Sequence, residues 1–202
     1  MKTATMTAIL STFLAGAIPA ADYEITIDGK KYLFTDGVQQ KVVTGDGSRV
    51  AISVSAVKTK VFQEHGVSFR YPSDMQLAQE SFFGIKQVTL ESTDSSLFIL
   101  QILPAGTSAE TTAQDLLSAF RDQFIVAGAK FPSNPTTSCK RSIGGVERAG
   151  VVLSYTLATL PHETEIYTLQ QPTKTLAMIF QHAVEDKESV TPRFQAIASS
   201  FK

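Results

Sequence analysis

The sequence contains no tryptophan and only one cysteine, Cys139, among its 202 residues. A single cysteine excludes an intramolecular disulfide, so the fold must depend on its apolar core. We interpret Cys139 as a small buried hydrophobic side chain, and the alternative is an exposed thiol that joins two copies of the chain. The chain is therefore not of the small, disulfide-rich class of secreted proteins.

The sequence also lacks an excess of either charge, with 18 basic and 19 acidic residues and a formal net charge of −1. Proteins that bind nucleic acids present a basic field to the phosphates, which this composition does not supply. Nucleic-acid binding is therefore disfavoured. The 43% of hydrophobic residues is enough for a substantial core, which argues against disorder.

No hydrophobic run reaches the ~20 residues that a membrane-spanning helix needs. An apolar stretch over residues 6–18 follows Lys2, and small residues gather after it at Pro19, Ala20 and Ala21. This order predicts a signal peptide over residues 1–20, with an uncleaved anchor or a buried first helix as the alternatives. We therefore expect an exported protein, periplasmic or secreted, whose mature chain is not stably inserted in a membrane.

Short runs of alternating polar and apolar residues occupy positions 22–57, which is typical of strands. An Asp-Gly dipeptide separates these runs three times, at Asp28-Gly29, Asp36-Gly37 and Asp46-Gly47. This dipeptide tolerates the positive φ angles of tight hairpin turns. We predict a small β-meander here, with a junction to the rest of the chain at residues 58–60.

The remaining residues, 61–202, predict strands linked by tight turns and two amphipathic helices. The strand segments are residues 66–72, 86–91, 97–103, 146–159, 162–170 and 174–184. The helices are expected to begin at a Thr107–Glu110 capping box and at Thr191 followed by Pro192. Because hairpin-linked strands pair antiparallel, we predict an α+β fold in which two helices pack on a mostly antiparallel sheet.

Two segments of this region form a distinctive pair. They are the run Gly66-Val67-Ser68-Phe69-Arg70-Tyr71-Pro72-Ser73 and the closing set Phe194, Ile197, Ser200 and Phe201. Together with the order of the predicted elements between them, these segments resemble the PsbP-like fold. The resemblance covers residues 61–202 and leaves the N-terminal meander outside it. It implies an α+β fold, and it implies a non-enzymatic role, because relatives of known role mostly bind other proteins.

The histidines do not form a recognisable catalytic pattern. No G-x-S-x-G motif accompanies His65, His162 or His182, so a hydrolytic triad is not supported. We interpret His182 as a packing residue on a strand face and His65 as a solvated turn residue.

Acidic residues are equally uninformative about chemistry. Successive strand side chains point to opposite faces, so His162 and Glu165 diverge, and we interpret Glu163 and Glu165 as a solvated acidic edge rather than a weak cation site. The carboxylates Asp74, Glu80 and Glu91 cannot be placed in one cleft from the sequence. No glycine-rich phosphate-binding motif occurs. We predict no catalytic residue, no metal site and no bound cofactor.

Two segments remain as candidate partner contacts. Phe82 and Phe83 lie in a predicted inter-strand loop, where burial in the core is the favoured interpretation and an exposed protein contact the alternative. Pro132 and Pro135 constrain a second loop, where plain connection is favoured over recognition. We predict a non-catalytic accessory or binding protein that contacts another envelope protein. The alternative is a small-ligand- or metal-binding protein, or an enzyme, that uses the cleft between sheet and helix.

Overall fold

The computed structural model describes residues 22–35, 39–54, 58–94 and 96–202. The predicted signal peptide, residues 1–20, and the predicted turn at Asp36-Gly37 lie outside the described residues. Two compact units divide the chain, one of which contains Thr59–Lys202 and the other the described residues before Thr59. Neither of the two α-helices in the described ranges could span a lipid bilayer.

The N-terminal unit consists of two antiparallel hairpins, formed by β1 (Asp22–Ile27), β2 (Lys30–Thr35), β3 (Gln39–Val43) and β4 (Arg49–Ser53). Where the sequence predicted one continuous meander, the described strands form two separate two-stranded sheets. The first turn is the predicted Asp28-Gly29, with φ angles of 49° and 76°. Side chains join the hairpins, because Asp28 Oδ2 accepts from the Gly45 amide at 2.7 Å and the Tyr32 hydroxyl donates to the Val43 carbonyl at 2.9 Å.

The C-terminal unit begins with a separate hairpin of β5 (Thr59–Glu64) and β6 (Val67–Pro72). A seven-stranded sheet follows, made of β7 (Gln76–Phe82), β8 (Ile85–Glu91), β9 (Leu97–Pro104), β10 (Thr136–Ile143), β11 (Val146–Leu157), β12 (Leu160–Gln171) and β13 (Lys174–Ala183). Its order is β10-β11-β12-β13-β9-β8-β7, with every neighbouring pair antiparallel. With the helices α1 (Ala109–Val126) and α2 (Lys187–Ser200), this confirms the α+β prediction.

Each face of the seven-stranded sheet has its own core. Helix α1 packs on one face over β12 and β13, and the core there contains Leu116, Phe120, Phe124, Leu153, Ile166 and Ile179. Helix α2 and the β5–β6 hairpin cover the other face, where the core contains Phe62, Phe69, Phe98, Leu100, Phe180, Phe194 and Ile197. The nearly all-apolar β9 contributes to both cores, as expected of a central strand.

Both helices begin at residues other than those the sequence predicted. Helix α1 is capped by Ser108, which accepts from the Thr111 amide at 3.4 Å, while the Thr107 hydroxyl donates to the Pro104 carbonyl. Helix α2 begins earlier than predicted and holds Pro192 in its interior. A 3₁₀ turn at Val184–Asp186 precedes this helix, and the residues added before Thr191 include the buried Val190.

The residues after α2 are hydrogen-bonded to strand β6, far back in the sequence. The amide and carbonyl of Lys202 exchange hydrogen bonds with those of Ser68, at 2.9 and 3.1 Å. The Ser200 hydroxyl accepts from the Arg70 amide at 2.8 Å. The C-terminal segment therefore holds the β5–β6 hairpin against the same core that α2 covers.

Candidate functional site

The four residues proposed as partner contacts occupy two separate places. Phe82 and Phe83 lie at the turn between β7 and β8, at one edge of the sheet, and Pro132 and Pro135 precede β10 at the other edge. Five strands lie between those edges, which puts them about 29 Å apart at ~4.8 Å per strand. The four residues therefore cannot form one site.

The turn between β7 and β8 presents Phe83 to solvent. Phe82 pairs with Ile85, which leaves Phe83 and Gly84 as a two-residue turn with φ angles of 48° and 81°. Positive φ at both positions is typical of a type I′ turn. Phe83 is 88% exposed, so the favoured interpretation that it lies in the core is wrong. The reason is geometric, because the turn places this side chain at the tip of the hairpin, beyond the layer that the helices cover.

Strand β7 is an edge strand, and among the described strands only β8 is hydrogen-bonded to it. We call the backbone of β7 that faces away from β8 the β7 edge. In an antiparallel hairpin closed by a two-residue turn, Phe82, Glu80 and Ala78 bond to the partner strand. The N–H and C=O groups of the alternate residues, Leu77, Gln79 and Ser81, then point away from the sheet. The side chains of residues 76–81 are all exposed.

The two edges of the sheet differ in how they are protected. Edge strands usually avoid pairing with other chains by carrying lysine, proline or inward charges, or by being covered. Strand β10 has Lys140 and Arg141, and the first residue after it, Gly144, donates its amide to the Ala198 carbonyl of α2 at 2.8 Å. Strand β7 has neither lysine nor proline, and its one charged residue is Glu80. The β7 edge is therefore the one open to an added strand.

A shallow cleft lies on the α1 face near the ends of β11 and β12, and we call it the Tyr155 groove. Its volume is about 370 Å³, and it is lined by Lys130, Phe131, Pro132, Ser154, Tyr155, Thr156, Pro161, His162, Glu163 and Val184. Tyr155 stacks on Phe124 and on His162, with ring centroids 4.1 and 5.3 Å apart. Pro132 thus belongs to a cleft built mainly from rings and aliphatic groups.

The Tyr155 phenol and the His162 imidazole of the Tyr155 groove are uncharged at neutral pH. Burial raises the pKa of Tyr155 to about 12, against the effect of the Thr164 hydroxyl. Burial also lowers the pKa of His162, although Glu185 and Asp186 act in the opposite direction. Within the described part of the chain, the buried hydroxyls of Tyr155 and Thr164 have no partner in hydrogen-bonding geometry. This arrangement suits the binding of an aromatic or aliphatic group better than proton transfer.

A polar cluster lies on the opposite face, beneath α2. Arg141 binds Glu165 through two nitrogens, at 3.1 and 3.0 Å, and its guanidinium lies 4.7 Å from the centre of the Phe180 ring. Tyr167 donates its hydroxyl to Glu165 at 2.6 Å, and the half-buried Cys139 thiol lies 3.2 Å from that hydroxyl. Burial raises the pKa of Cys139, so the thiol stays protonated at neutral pH. The cluster therefore stabilises the fold and leaves no reactive thiolate.

The residues considered as metal ligands diverge in the fold. His162 faces the Tyr155 groove, whereas Glu165 binds Arg141 on the other face and Glu163 binds Lys187 at 2.8 Å. Within the described residues no group of three His, Cys, Asp or Glu side chains could hold a metal ion. Asp74 pairs with Arg193 at 2.8 Å, while Glu80 and Glu91 stand on β7 and β8.

His182 is buried on β13, and neither of its ring nitrogens has a hydrogen-bond partner among the described residues. Its ring packs on Phe194 at 5.9 Å, and Nε2 lies 3.7 Å from the Glu163 carboxylate. Burial lowers the pKa of His182, although Glu163 and Glu165 act in the opposite direction. His182 is therefore a neutral packing residue at pH 7, and protonating it would place a charge inside the core.

Mild acid should consequently destabilise the fold. Unfolded histidine binds its proton at a pKa of ~6.5, and folded His182 binds it only at lower pH. The folded state therefore binds fewer protons, so stability is complete above pH ~6.5 and falls by up to about 1.4 kcal/mol per pH unit below it, until the folded pKa is reached. Denaturant unfolding at about pH 7 and about pH 5 measures this loss. The His182→Met variant should lose less unfolding free energy between these two pH values than the wild type. An equal loss in both proteins would contradict the interpretation of His182 as a neutral buried histidine.

Two of these features, the Tyr155 groove and the β7 edge, have no signal in the sequence. The pattern of residues 146–159 places Tyr155 on a strand face with Leu153, but contains nothing that distinguishes a groove wall from core. The β7 edge is a property of backbone groups, and residues 76–81 lack the apolar alternation by which strands are recognised.

Comparison with known proteins gives neither a family nor a curated relative, since no family model matches the chain and no curated protein matches it. Solved structures do resemble it. One is a protein of Bacteroides thetaiotaomicron, with a TM-score of 0.47 and 12% identity over 72% of this chain. The match covers 48% of that protein, so the chain spans about half its length.

For two further structures the match covers most of both proteins. PsbP of Synechocystis sp. PCC 6803 has a TM-score of 0.46 and 16% identity, over 74% of this chain and 94% of its own. LpqN, involved in cell envelope biogenesis of Mycobacterium tuberculosis, has a TM-score of 0.42 and 12% identity, over 67% of this chain and 82% of its own. A PsbP is thus among the proteins that the chain resembles in structure. At TM-scores below 0.5 these likenesses establish no family and no function.

Proposed function

We propose that this chain is a non-catalytic, exported accessory protein that binds another protein of the cell envelope through the β7 edge and Phe83. The observation that carries the proposal is the exposure of Phe83 on a turn that disfavours phenylalanine. Large aromatic side chains are enriched where proteins bind one another, and here the ring stands beside an unprotected strand edge.

The fold itself has no need of a phenylalanine at this position. A residue with a side chain pays roughly 1 kcal/mol for a left-handed backbone, and asparagine pays least because its short amide bonds locally. With 88% of its surface exposed, Phe83 recovers almost none of this cost by burial. A costly residue that contributes little to folding is typical of a functional contact.

Replacing Phe83 with asparagine should separate binding from folding. Asn-Gly is the dipeptide preferred in type I′ turns, so Phe83→Asn should raise the free energy of unfolding by about 0.5–1 kcal/mol. The same variant should lose the partner. Thermal or denaturant unfolding measures the first effect, and capture of the partner the second. A variant that is less stable, or one that binds normally, would contradict the proposal.

The partner can be sought by photo-crosslinking from single positions in the cells that produce the protein. A photoreactive side chain at Ser81, on the β7 edge, should give one discrete product, and the Phe83→Asn variant should not form it. The matched control is Ser138 on β10, which is also exposed and lies at the protected edge. The same product from both positions would contradict a contact at β7, as would its absence from both.

Export forms part of the proposal and rests on the predicted signal peptide. Fractionation of the producing cells, with sequencing of the mature amino terminus, tests it. A chain that begins at about residue 21 and leaves the cytoplasm is the expected result. An intact amino terminus in the cytoplasmic fraction would remove export from the proposal.

A second candidate function is supported by the Tyr155 groove. Its wall of rings and aliphatic groups fits a small aromatic or aliphatic ligand. A screen of small molecules by protein NMR distinguishes the two functions, because a ligand should shift the signals of Phe131 and His162 and leave those of Ser81 and Phe83 unchanged.

A further inference from the structure

We infer that the partner adds an extended strand to the β7 edge, and that this strand places a basic residue opposite Glu80 between two apolar residues on the same face. The inference rests on the proposed function and specifies the chemistry of its partner. Its support comes from the backbone groups of β7, from the side chains that alternate along it, and from the charges around it.

The backbone of β7 provides the framework for an added strand. Leu77, Gln79 and Ser81 alternate with the residues that bond to β8, so their N–H and C=O groups offer a ladder to a new neighbour. Such strand addition obtains affinity from main-chain hydrogen bonds and specificity from alternate side chains. Each face of β7 therefore contacts a different set of side chains on the added strand, and each face contributes separately to specificity.

One face of β7 presents Ala78, Glu80 and Phe82 in succession. Side chains directly opposite each other on paired strands interact, and an opposite charge is favoured while a like charge is disfavoured. A basic residue should therefore stand opposite Glu80, with apolar residues opposite Ala78 and Phe82. Across the described residues Glu80 forms no ion pair, so a basic partner would meet a free carboxylate.

The surrounding charges favour the same choice. Glu91 stands on β8 opposite Gln76, on the face that carries Glu80, and it too forms no ion pair within the described residues. On the other face of β7, the side-chain amide nitrogen of Gln79 donates to the Glu64 carboxylate at 3.4 Å. Lys86, opposite Ser81, is the basic residue of this hairpin. Carboxylates therefore outnumber cations along the open edge.

A second copy of this chain does not supply such a strand through β7 itself. Residues 76–82 contain one charge, Glu80, and no basic residue. Two β7 strands could pair around Gln79 without opposing their carboxylates, but each Glu80 would then face Ala78 and remain without a cation. A basic strand from a different protein supplies a cation for Glu80 as well as backbone hydrogen bonds for β7. Self-pairing of β7 is the alternative that the test below distinguishes.

The test uses two synthetic peptides, acetylated and amidated, of sequence TVTKTVT and TVTETVT. Both sequences are the same in either direction, so strand orientation does not enter the comparison. Protein NMR records binding to the full mature chain through the amide signals of Leu77, Gln79 and Ser81. The protein variants are Glu80→Lys and, as a block of the ladder, Gln79→Pro, which removes one outward N–H from an edge position.

The wild type should bind the lysine peptide roughly two- to fivefold more tightly than the glutamate peptide, and Glu80→Lys should reverse this preference. The preference should weaken in high salt, because exposed charges are screened. Gln79→Pro should bind neither peptide. If Gln79→Pro is unfolded, the reversal by the surface substitution Glu80→Lys still decides the question.

Other outcomes would overturn the inference, and they can be told apart from failure of the proposed function. If the two peptides bind equally or do not bind, while the Ser81 crosslink still forms, the partner contacts β7 but does not add a basic strand to it. The inference is then wrong and the proposed function stands. Dimerisation of the wild type that Gln79→Pro abolishes would replace the partner strand with a second copy. Loss of both the crosslink and peptide binding would refute the proposed function itself.

Discussion

Replacing Arg141 with methionine should lower the free energy of unfolding by about 3–5 kcal/mol, enough to unfold a large fraction of a marginally stable domain. Arg141 and Glu165 are both largely buried, with 17% and 12% of their side chains exposed. Without the guanidinium, the Glu165 carboxylate stays beneath α2 with one donor, the Tyr167 hydroxyl. The cost is that of an uncompensated buried charge, and denaturant unfolding measures it.

Two companion variants assign this cost to the charge. Adding Glu165→Gln to Arg141→Met removes the carboxylate but keeps an oxygen for Tyr167, so the double variant should recover more than half of the loss. The neighbouring Lys140 pairs with Glu147 at 2.8 Å in solvent, so Lys140→Met should cost less than about 1 kcal/mol. If the double variant recovers none of the loss, packing of the Arg141 side chain rather than the unpaired charge explains the effect.

Gly150→Ala should be almost as damaging, at about 3 kcal/mol, although it adds a single methyl group. A Cβ atom on Gly150 would lie 2.5 Å from the ring of Tyr167 and 2.7 Å from the Ile166 carbonyl oxygen. The ring is held by its hydroxyl contacts, and the carbonyl belongs to the backbone of β12, so neither moves freely. Strands β11 and β12 must therefore separate locally, and the melting temperature should fall with the free energy.

Combining Gly150→Ala with Tyr167→Leu tests this mechanism. Removing the ring leaves the contact with the Ile166 carbonyl, so the double variant should lose less than the sum of the two single variants. Ala149→Ser, at the exposed neighbouring position, should stay within about 0.5 kcal/mol of the wild type. Additive losses in the double variant would contradict a clash between residue 150 and the ring.

The sequence predicts the interior of this fold far better than its edges. The apolar run of β9 and the helical spacing of α1 are both found where they were expected, because burial on a regular element leaves a period in the sequence. Strands β7 and β10 were missed because neither has that period. Strand β7 is held in the sheet by backbone hydrogen bonds to β8. Strand β10 points Arg141 inward, and its partner Glu165 lies 24 positions away in the sequence, so the local pattern of β10 does not reveal the pair.

The residues of the candidate site could be predicted from the sequence, but their exposure could not. Phe82, Phe83, Pro132 and Pro135 could be singled out as residues, but their exposure depends on turns and on which strand forms the edge. A phenylalanine in a sequence is ordinarily assigned to the core, and Phe83 departs from this because of a two-residue turn. The open ladder of β7 belongs to the sheet order, which no short segment of sequence encodes.

The hydrogen bonds between the C-terminal segment and β6 have a consequence for the timing of folding. Helix α2 supplies Val190, Phe194 and Ile197 to the larger core, and Ser200 bonds to Arg70 across 130 positions of sequence. Contacts this distant cannot form until the ribosome has released both segments, and they close a costly loop. The core beneath α2 is thus completed only after the segment that contains α2 has left the ribosome, so hydrophobic surface on that face of the sheet stays uncovered until late in synthesis.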